Sequence, residues 1–338
     1  MKKYYFFVIS AIFMVFFAFP VAAQLTQNSS DVNVNLIPEN PGPNEVVHVN
    51  LTSYSFSIDS SNITWKINGV VKQKGIGEKS FVFSTGGVGV STKLEVSVLT
   101  KEGETVNQTV NIKPASVDLI WQTESYVPPF YKGKAMFSHQ NKVTFIAMPH
   151  MTSSGGVEIG PKNLVYKWMQ NDSVIQNASG YGKNAYTFTG SVISRPIKIS
   201  VEVTAPNTGD VANASMTTNP AEPFIVFYEK NPLYGIQFQK ALYGSTQLNE
   251  SEIAVVGMPF FFGTLDPKTT DLSYKWLING VPIGNESYAN TQVFRQVSGV
   301  SGFSKISLSI ENSNKILQYA SSNFDLSFGS EATTNTSF

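Results

Sequence analysis

The sequence predicts an all-β protein of three tandem β-sandwich domains behind an N-terminal export signal. Three observations predict it. Tryptophan recurs in near-copies of one short strand: Ile63-Thr64-Trp65-Lys66-Ile67-Asn68-Gly69-Val70, Val165-Tyr166-Lys167-Trp168-Met169, and Ser273-Tyr274-Lys275-Trp276-Leu277-Ile278-Asn279-Gly280-Val281. Trp65, Trp168 and Trp276 stand about 103 and about 108 residues apart, one small domain each time. Each is followed, about 31 to 33 residues on, by a strand of period-two alternation: Leu94–Val98, Ile197–Val203 and Ile306–Ile310. No amphipathic helix of credible length reads after residue 24.

The elements follow in order. Lys2 and Lys3 form a basic start, Tyr4 to Phe19 an apolar run, and Val21-Ala22-Ala23 a small-residue cleavage site, so residues 1–23 read as a signal peptide. The run is about 16 residues, short of the roughly 20 that span a bilayer. No second run of that length appears, so no membrane span is expected after cleavage. Residues 24–30 are a flexible lead. The first sandwich is expected over 31–114, the second over 115–220, the third over 221–328, and a disordered tail over 329–338. In the first, Val32–Leu36 and Val46–Leu51 alternate around the prolines at 38, 41 and 43, which suits a sheet edge. Asn68-Gly69 is a type I′ hairpin signal, because both residues tolerate positive φ. Each indole is expected to fill the roughly 10 Å gap between two sheets, with the later alternating strand as the opposite wall. Short proline-bearing joints near Lys113–Ser116 and Asn219–Pro223 imply a semi-rigid rod.

Composition excludes several function classes. Lys and Arg number 24 and Asp and Glu 24, and no basic stripe stands out, so no nucleic-acid partner is expected. Cysteine is absent, which removes thiol catalysis, thiolate metal sites and disulfides. Of the three histidines, His48 lies in an alternating strand, and His139 and His150 flank a strand with no carboxylate beside them in sequence. Asp59, Asp172, Asp210, Asp266 and Asp271 are scattered singly, without an Asp-x-Asp-x-Asp run for calcium. Gly86-Gly87-Val88-Gly89 lacks the Lys-Ser/Thr of a phosphate cradle and reads as a turn. No catalytic residue, cofactor or metal ligand is therefore named, and the chain is expected not to be an enzyme. Sequons such as Asn50, Asn107 and Asn177 occur freely in so Asn-, Ser- and Thr-rich a chain.

One segment reads as a binding surface. Tyr126, Phe130 and Tyr131, with Lys132 and Lys134, can form an aromatic-basic platform for a sugar or peptide, stiffened by Pro128 and Pro129. The alternative is that these rings pack on their own or a neighbouring sandwich. The related run Asn231-Pro232-Leu233-Tyr234-Gly235-Ile236-Gln237-Phe238-Gln239-Lys240-Ala241 favours that structural role. Phe260-Phe261-Phe262 poses the same choice, since alternation puts at least one ring on the outer face of a strand.

The tryptophan strand, its Asn-Gly hairpin and the later alternating strand resemble the immunoglobulin-like and PKD-like domains of bacterial surface proteins, without the Gly-Asp-Gly signature of the latter. The run Tyr126-x-x-Pro129-Phe130-Tyr131-Lys132-Gly133-Lys134-Ala135, with Asn231–Gly235 and Lys315-Ile316-Leu317-Gln318, is similar to an exported family of candidate-phyla (Parcubacteria-like) bacteria, one with no assigned activity. The resemblance implies three tandem immunoglobulin-like β-sandwich domains at the cell surface or outside the cell. The expected role is structural, as an adhesion or scaffold component with a protein or cell-wall glycan partner. The alternative is a carbohydrate- or peptidoglycan-binding module using residues 126–134.

Overall fold

The structure is a computed structural model that describes residues 32–287 and 290–329. The expected signal peptide, the lead over 24–30 and the tail beyond Gly329 lie outside the described residues. Among the described residues there is no α-helix, only the 3-10 turns Ile58–Ser60 and Pro161–Asn163. The Cα packing divides the chain into two compact units. Among the described residues one is 32–35, Asn50–Phe81 and Glu95–Thr109; the other is Leu36–Val49, Val82–Leu94, 110–287 and 290–329.

The first seven strands are β1 (Asn33–Ile37), β2 (Val46–Thr52), β3 (Asn62–Ile67), β4 (Val70–Ile76), β5 (Ser80–Ser84), β6 (Thr92–Leu99) and β7 (Thr105–Ile112). They form two sheets, ordered β1-β2-β5 and β4-β3-β6-β7. Alternation decides what is buried: β2 buries Val47, Val49 and Leu51, and β6 buries Leu94, Val96 and Val98. Trp65 is fully buried, its ring stacked on Phe81 at 5.3 Å and its Nε1 donating to Glu78 O at 2.8 Å.

The same order returns in β8 (Ser116–Thr123), β9 (Lys142–His150), β10 (Val165–Gln170), β11 (Ser173–Val174), β12 (Gly180–Tyr181), β13 (Ala185–Thr189), β14 (Ile197–Thr204) and β15 (Val211–Thr218). The sheets are β13-β9-β8 and β11-β10-β14-β15, with β12 also on β10. The third set is β16 (Phe224–Asn231), β17 (Gly235–Leu242), β18 (Ser245–Gln247), β19 (Glu252–Phe260), β20 (Leu272–Ile278), β21 (Val281–Ser287), β22 (Thr291–Arg295), β23 (Gly302–Asn312) and β24 (Tyr319–Phe328). Its sheets run β17-β16-β19-β22 and β18-β24-β23-β20-β21. Splitting β1, β2 and β5 from β3, β6 and β7, and likewise β8, β9 and β13 from β10, β14 and β15 and β16, β19 and β22 from β20, β23 and β24, is the interleaved layout of an immunoglobulin-like sandwich. The fold is thus a tandem array of such sandwiches.

Trp168 is fully buried and donates from Nε1 to Lys183 O at 2.9 Å, as Trp65 does to Glu78. Trp276 lies between Phe227 and Phe294, at 5.8 and 5.9 Å. Across from it Gly257 leaves room: a Cβ there would overlap the buried Leu308 side chain. One expectation is corrected. The later alternating strand is not the opposite wall but the hydrogen-bonded neighbour, with Trp168 paired to Val201 and Trp276 to Leu308. The facing sheet comes instead from β9 and β13 through Phe145 and Tyr186, and from β16 and β22 through Phe227 and Phe294. A constant sequence gap marks a fixed register within one sheet as well as it marks a facing layer.

The hairpins after the tryptophans turn through positive φ at both central residues: Asn68 and Gly69, Asn171 and Asp172, Asn279 and Gly280. Tyr166 and Tyr274, each two residues before its tryptophan, are buried with hydroxyls donating to Pro161 O at 3.0 Å and Pro267 O at 2.6 Å. Burial pushes Tyr166 from 10.0 up to about 12, and pushes Tyr274 up as well. A raised folded-state value means that the unfolded chain loses its proton first. The stability held by the neutral phenol is full below pH 10.0 and is lost as pH rises through about 12. Tyr166→Phe is expected to reduce this alkaline loss, read as the slope of the unfolding midpoint against pH above 10.

Candidate functional site

The aromatic-basic segment leaves the second sandwich at the end of β8 and does not return as a strand. Pro128 and Pro129 supply no N–H, so the chain cannot zip onto β8 as β17 zips onto β16. Here the two related runs part ways: 235–242 is strand, while 124–141 is irregular. Tyr126 exchanges backbone hydrogen bonds with the third sandwich, its N–H donating to Phe262 O at 2.9 Å and its carbonyl accepting from Phe261 N at 2.8 Å. A turn closed by Tyr131 N to Pro128 O follows, with Phe130 held at φ 66.

Beneath it lies the outer face of the β16-β17-β19 sheet. Val256, Met258, Phe260 and Phe261 form a buried cluster there, covered in part by Val127, Met136, Ala221 and Phe238. Tyr131 meets Phe260 and Phe261 edge-on at 5.5 and 6.1 Å, and Phe130 meets Phe238 at 6.0 Å. All three rings of Phe260-Phe261-Phe262 are buried, Phe262 in the inner core and the other two under this strap. The left-handed backbone at Phe261, φ 63, turns two successive rings to the outer side.

The five candidate residues divide accordingly. Tyr126 is half-buried with its hydroxyl 3.9 Å from Met258 Sδ, and burial, then Asp266, pushes its phenol up. Tyr131 is 39% exposed and Phe130 85%. Lys132 is exposed. Lys134 Nζ lies 3.8 Å over the Trp121 ring, whose face favours the cation, while burial pushes its ammonium down.

A second, polar layer at the same junction was missed. Gln318 is almost fully buried. Its Oε1 accepts from Gly263 N at 2.9 Å and Asn312 Nδ2 at 3.2 Å; its Nε2 donates to Asn141 Oδ1 at 2.6 Å and to His139 O. Ser138 Oγ donates to Phe261 O at 2.7 Å, and Lys315 Nζ donates to Gly263 O. Burial pushes Lys315 down, opposed by Glu124 and Asp271. The only sequence signal was the Lys315–Gln318 run, which marked the positions and not their partners.

The remaining candidates for chemistry are dispersed. His139 accepts from Ser194 N at 3.1 Å and faces Glu222 at 3.4 Å; His150 pairs with Asp118 at 3.0 Å. Both gain carboxylate neighbours that the sequence reading did not give them. Asp59 pairs with Lys79 and Asp172 with Lys198; Asp271 accepts from Asn314. Asp210 lies 3.6 Å from Lys113, whose ammonium also caps Thr152 O and Ser153 O. Among the described residues no group of three or more His, Cys, Asp or Glu comes together to hold a metal ion, and no helix is long and apolar enough to cross a membrane.

No family model matches the chain, and no curated protein matches it. Solved structures do. The fibronectin(III)-like modules of Clostridium thermocellum CbhA are 12% identical over 56% of this chain and 94% of theirs, with a TM-score of 0.28. The central fibronectin-III array of RIM-binding protein is 12% identical over 88% and 96%, with a TM-score of 0.30. Three N-terminal domains of the bacteriophage RB49 Highly Immunogenic Outer Capsid protein are 13% identical over 88% and 97%, with a TM-score of 0.25. At TM-scores this low these likenesses carry no argument; the fold rests on the strand order above.

Proposed function

We propose that the chain is an exported, non-enzymatic scaffold or adhesion component of the cell surface, whose second and third sandwiches act as one rigid piece. The observation that supports this is the use of residues 126–136 as a strap over the third sandwich. Within that strap Tyr131 packs on Phe260 and Phe261 of the third sandwich, a contact of the kind that holds two sandwiches together. Detection of the chain outside the cytoplasm without residues 1–23 would support export.

A second reading is favoured by one feature. Phe130, 85% exposed beside exposed Lys132, offers a ring face of the kind that stacks on sugars. Retention on purified cell wall separates the readings. The scaffold reading expects the same retention for wild type, Phe130→Ala and Tyr131→Ala. A loss in both variants with folding intact would establish the glycan reading in its place. Stability should divide the same pair: Phe130→Ala within about 0.5 kcal/mol of wild type, and Tyr131→Ala lower by about 1 to 2 kcal/mol, from two lost edge contacts.

A further inference from the structure

The tryptophan strand runs antiparallel to its alternating neighbour, with Val165 opposite Thr204 and Leu272 opposite Asn312. The loop that enters the one and the loop that leaves the other therefore start side by side at one end of the sandwich. In the third sandwich these loops are residues 261–271 and 313–318. Both are spent on the second sandwich: Phe261 and Phe262 bond with the Tyr126 backbone, and Gln318 donates to His139 O and Asn141 Oδ1. The same pair in the second sandwich is 151–164 and 205–210. There a groove of about 550 Å³ lies open between them.

The groove has fixed walls. Lys113 Nζ donates to Thr152 O and to Ser153 O at 2.8 Å and lies 3.6 Å from Asp210, so one ammonium ties the two loops together. The first loop folds on itself through Ser153 N to Val157 O at 2.7 Å and Gly156 N to Ser153 O at 3.0 Å. The second does so through Gly209 N to Ala205 O at 2.8 Å and Thr208 Oγ1 to Asp210 Oδ2 at 2.7 Å. Tyr181 joins the lining from β12, its place set by pairing with Val165 and by Gly182 N donating to Leu164 O at 2.8 Å.

What these bonds leave unused points to a ligand. Ser154, Glu158, Asn163 and Asn207 line the groove, and their side chains make no hydrogen bond or ion pair among the described residues. Tyr181 stands with them, 63% exposed. Among the described residues no Lys, Arg or His lines the groove, so nothing there meets a phosphate or a sulfate. No second aromatic ring lines it either, as a site for a flat apolar ligand or a large peptide anchor would require. Amides and a hydroxyl that donate and accept alike, beside one open ring, match a ligand dense in hydroxyls that also has an apolar C–H face.

We propose that this groove binds a neutral oligosaccharide. One sugar ring lies on the face of Tyr181, Ser154, Asn163 and Asn207 exchange hydrogen bonds with its hydroxyls, and Glu158 accepts from one of them. Walls already held by their own hydrogen bonds lose little freedom on binding, which favours affinity. The site uses neither Phe130 nor the 126–136 strap, and it stands whether or not the chain is exported.

Calorimetric titration of the full chain with cellohexaose, xylohexaose, mannohexaose and N-acetylchitohexaose tests it. At least one should bind with a Kd of about 1 mM or tighter. Tyr181→Ala should weaken that binding by about tenfold or more, as loss of a central aromatic anchor does. Tyr181→Phe keeps the ring and should stay within about threefold of wild type. Asn207→Ala should bind more weakly than wild type, and Phe130→Ala should bind equally well. Unfolding midpoints should not move in the Tyr181 variants, because the side chain is exposed. Failure of all four sugars to bind, or a Tyr181→Ala variant that binds like wild type, would overturn the proposal. Binding lost in Phe130→Ala and kept in Tyr181→Ala would overturn it too and place the sugar on the strap.

Discussion

Trp168→Ala is expected to lower the stability of the second sandwich by about 3 to 5 kcal/mol, the range for emptying the space of a large buried ring. The side chain is fully buried in the largest position of its core. Tyr186, at 6.0 Å, and the flanking Val201 and Ile199 belong to two hydrogen-bonded sheets and cannot close the gap without breaking ladder bonds. The loss also leaves Lys183 O without its donor. Trp168→Phe keeps much of the ring and forfeits only that bond and part of the volume, so its cost should be well below that of alanine. Urea midpoints for the two variants check this. An alanine variant no less stable than one changed at an exposed site would remove the indole from its place at the centre of the fold.

Gln318→Ala should cost about 3 kcal/mol, because it strands several buried partners at once and each unmet buried group costs about 1 to 3 kcal/mol. The amide serves two donors with its oxygen and two acceptors with its nitrogen, and the groups it serves come from both sandwiches. The expected signature is loss of coupling. The second and third sandwiches should unfold together in the wild type and in two steps in the variant, with protease entering the 126–134 strap. Gln318→Glu provides a sharper form of the test. It matches the shape but turns an oxygen toward His139 O and Asn141 Oδ1 where a donor stood. It should therefore be at least as damaging at neutral pH. Unchanged midpoints in both variants would mean that the apolar strap alone holds the junction.

Much of the architecture was legible before any coordinates. Trp65, Trp168 and Trp276 announced three copies because an indole filling an intersheet gap constrains its neighbours in the chain. The Asn-Gly pairs announced hairpins because few residues accept positive φ twice running. The second copy shows the limit of that signal: Asn171-Asp172 makes the same turn without glycine. The run 126–134 read as a binding platform or as rings packed on a sandwich, and its likeness to 231–241 favoured the second. Two prolines were enough to send one copy across to another sandwich while the other became a strand.

Alternation, turn chemistry and spacing are local properties, written within a few residues, and they specified strands, hairpins and the number of repeats. Which strand lies beside the tryptophan and which lies across from it was settled by pairing between residues some thirty apart. The junction of the second and third sandwiches was decided farther away still, where Gln318 reaches His139 and Asn141 from well over a hundred positions along the chain. Contacts of that span depend on how finished sheets present their ends, and no short stretch of chain encodes that.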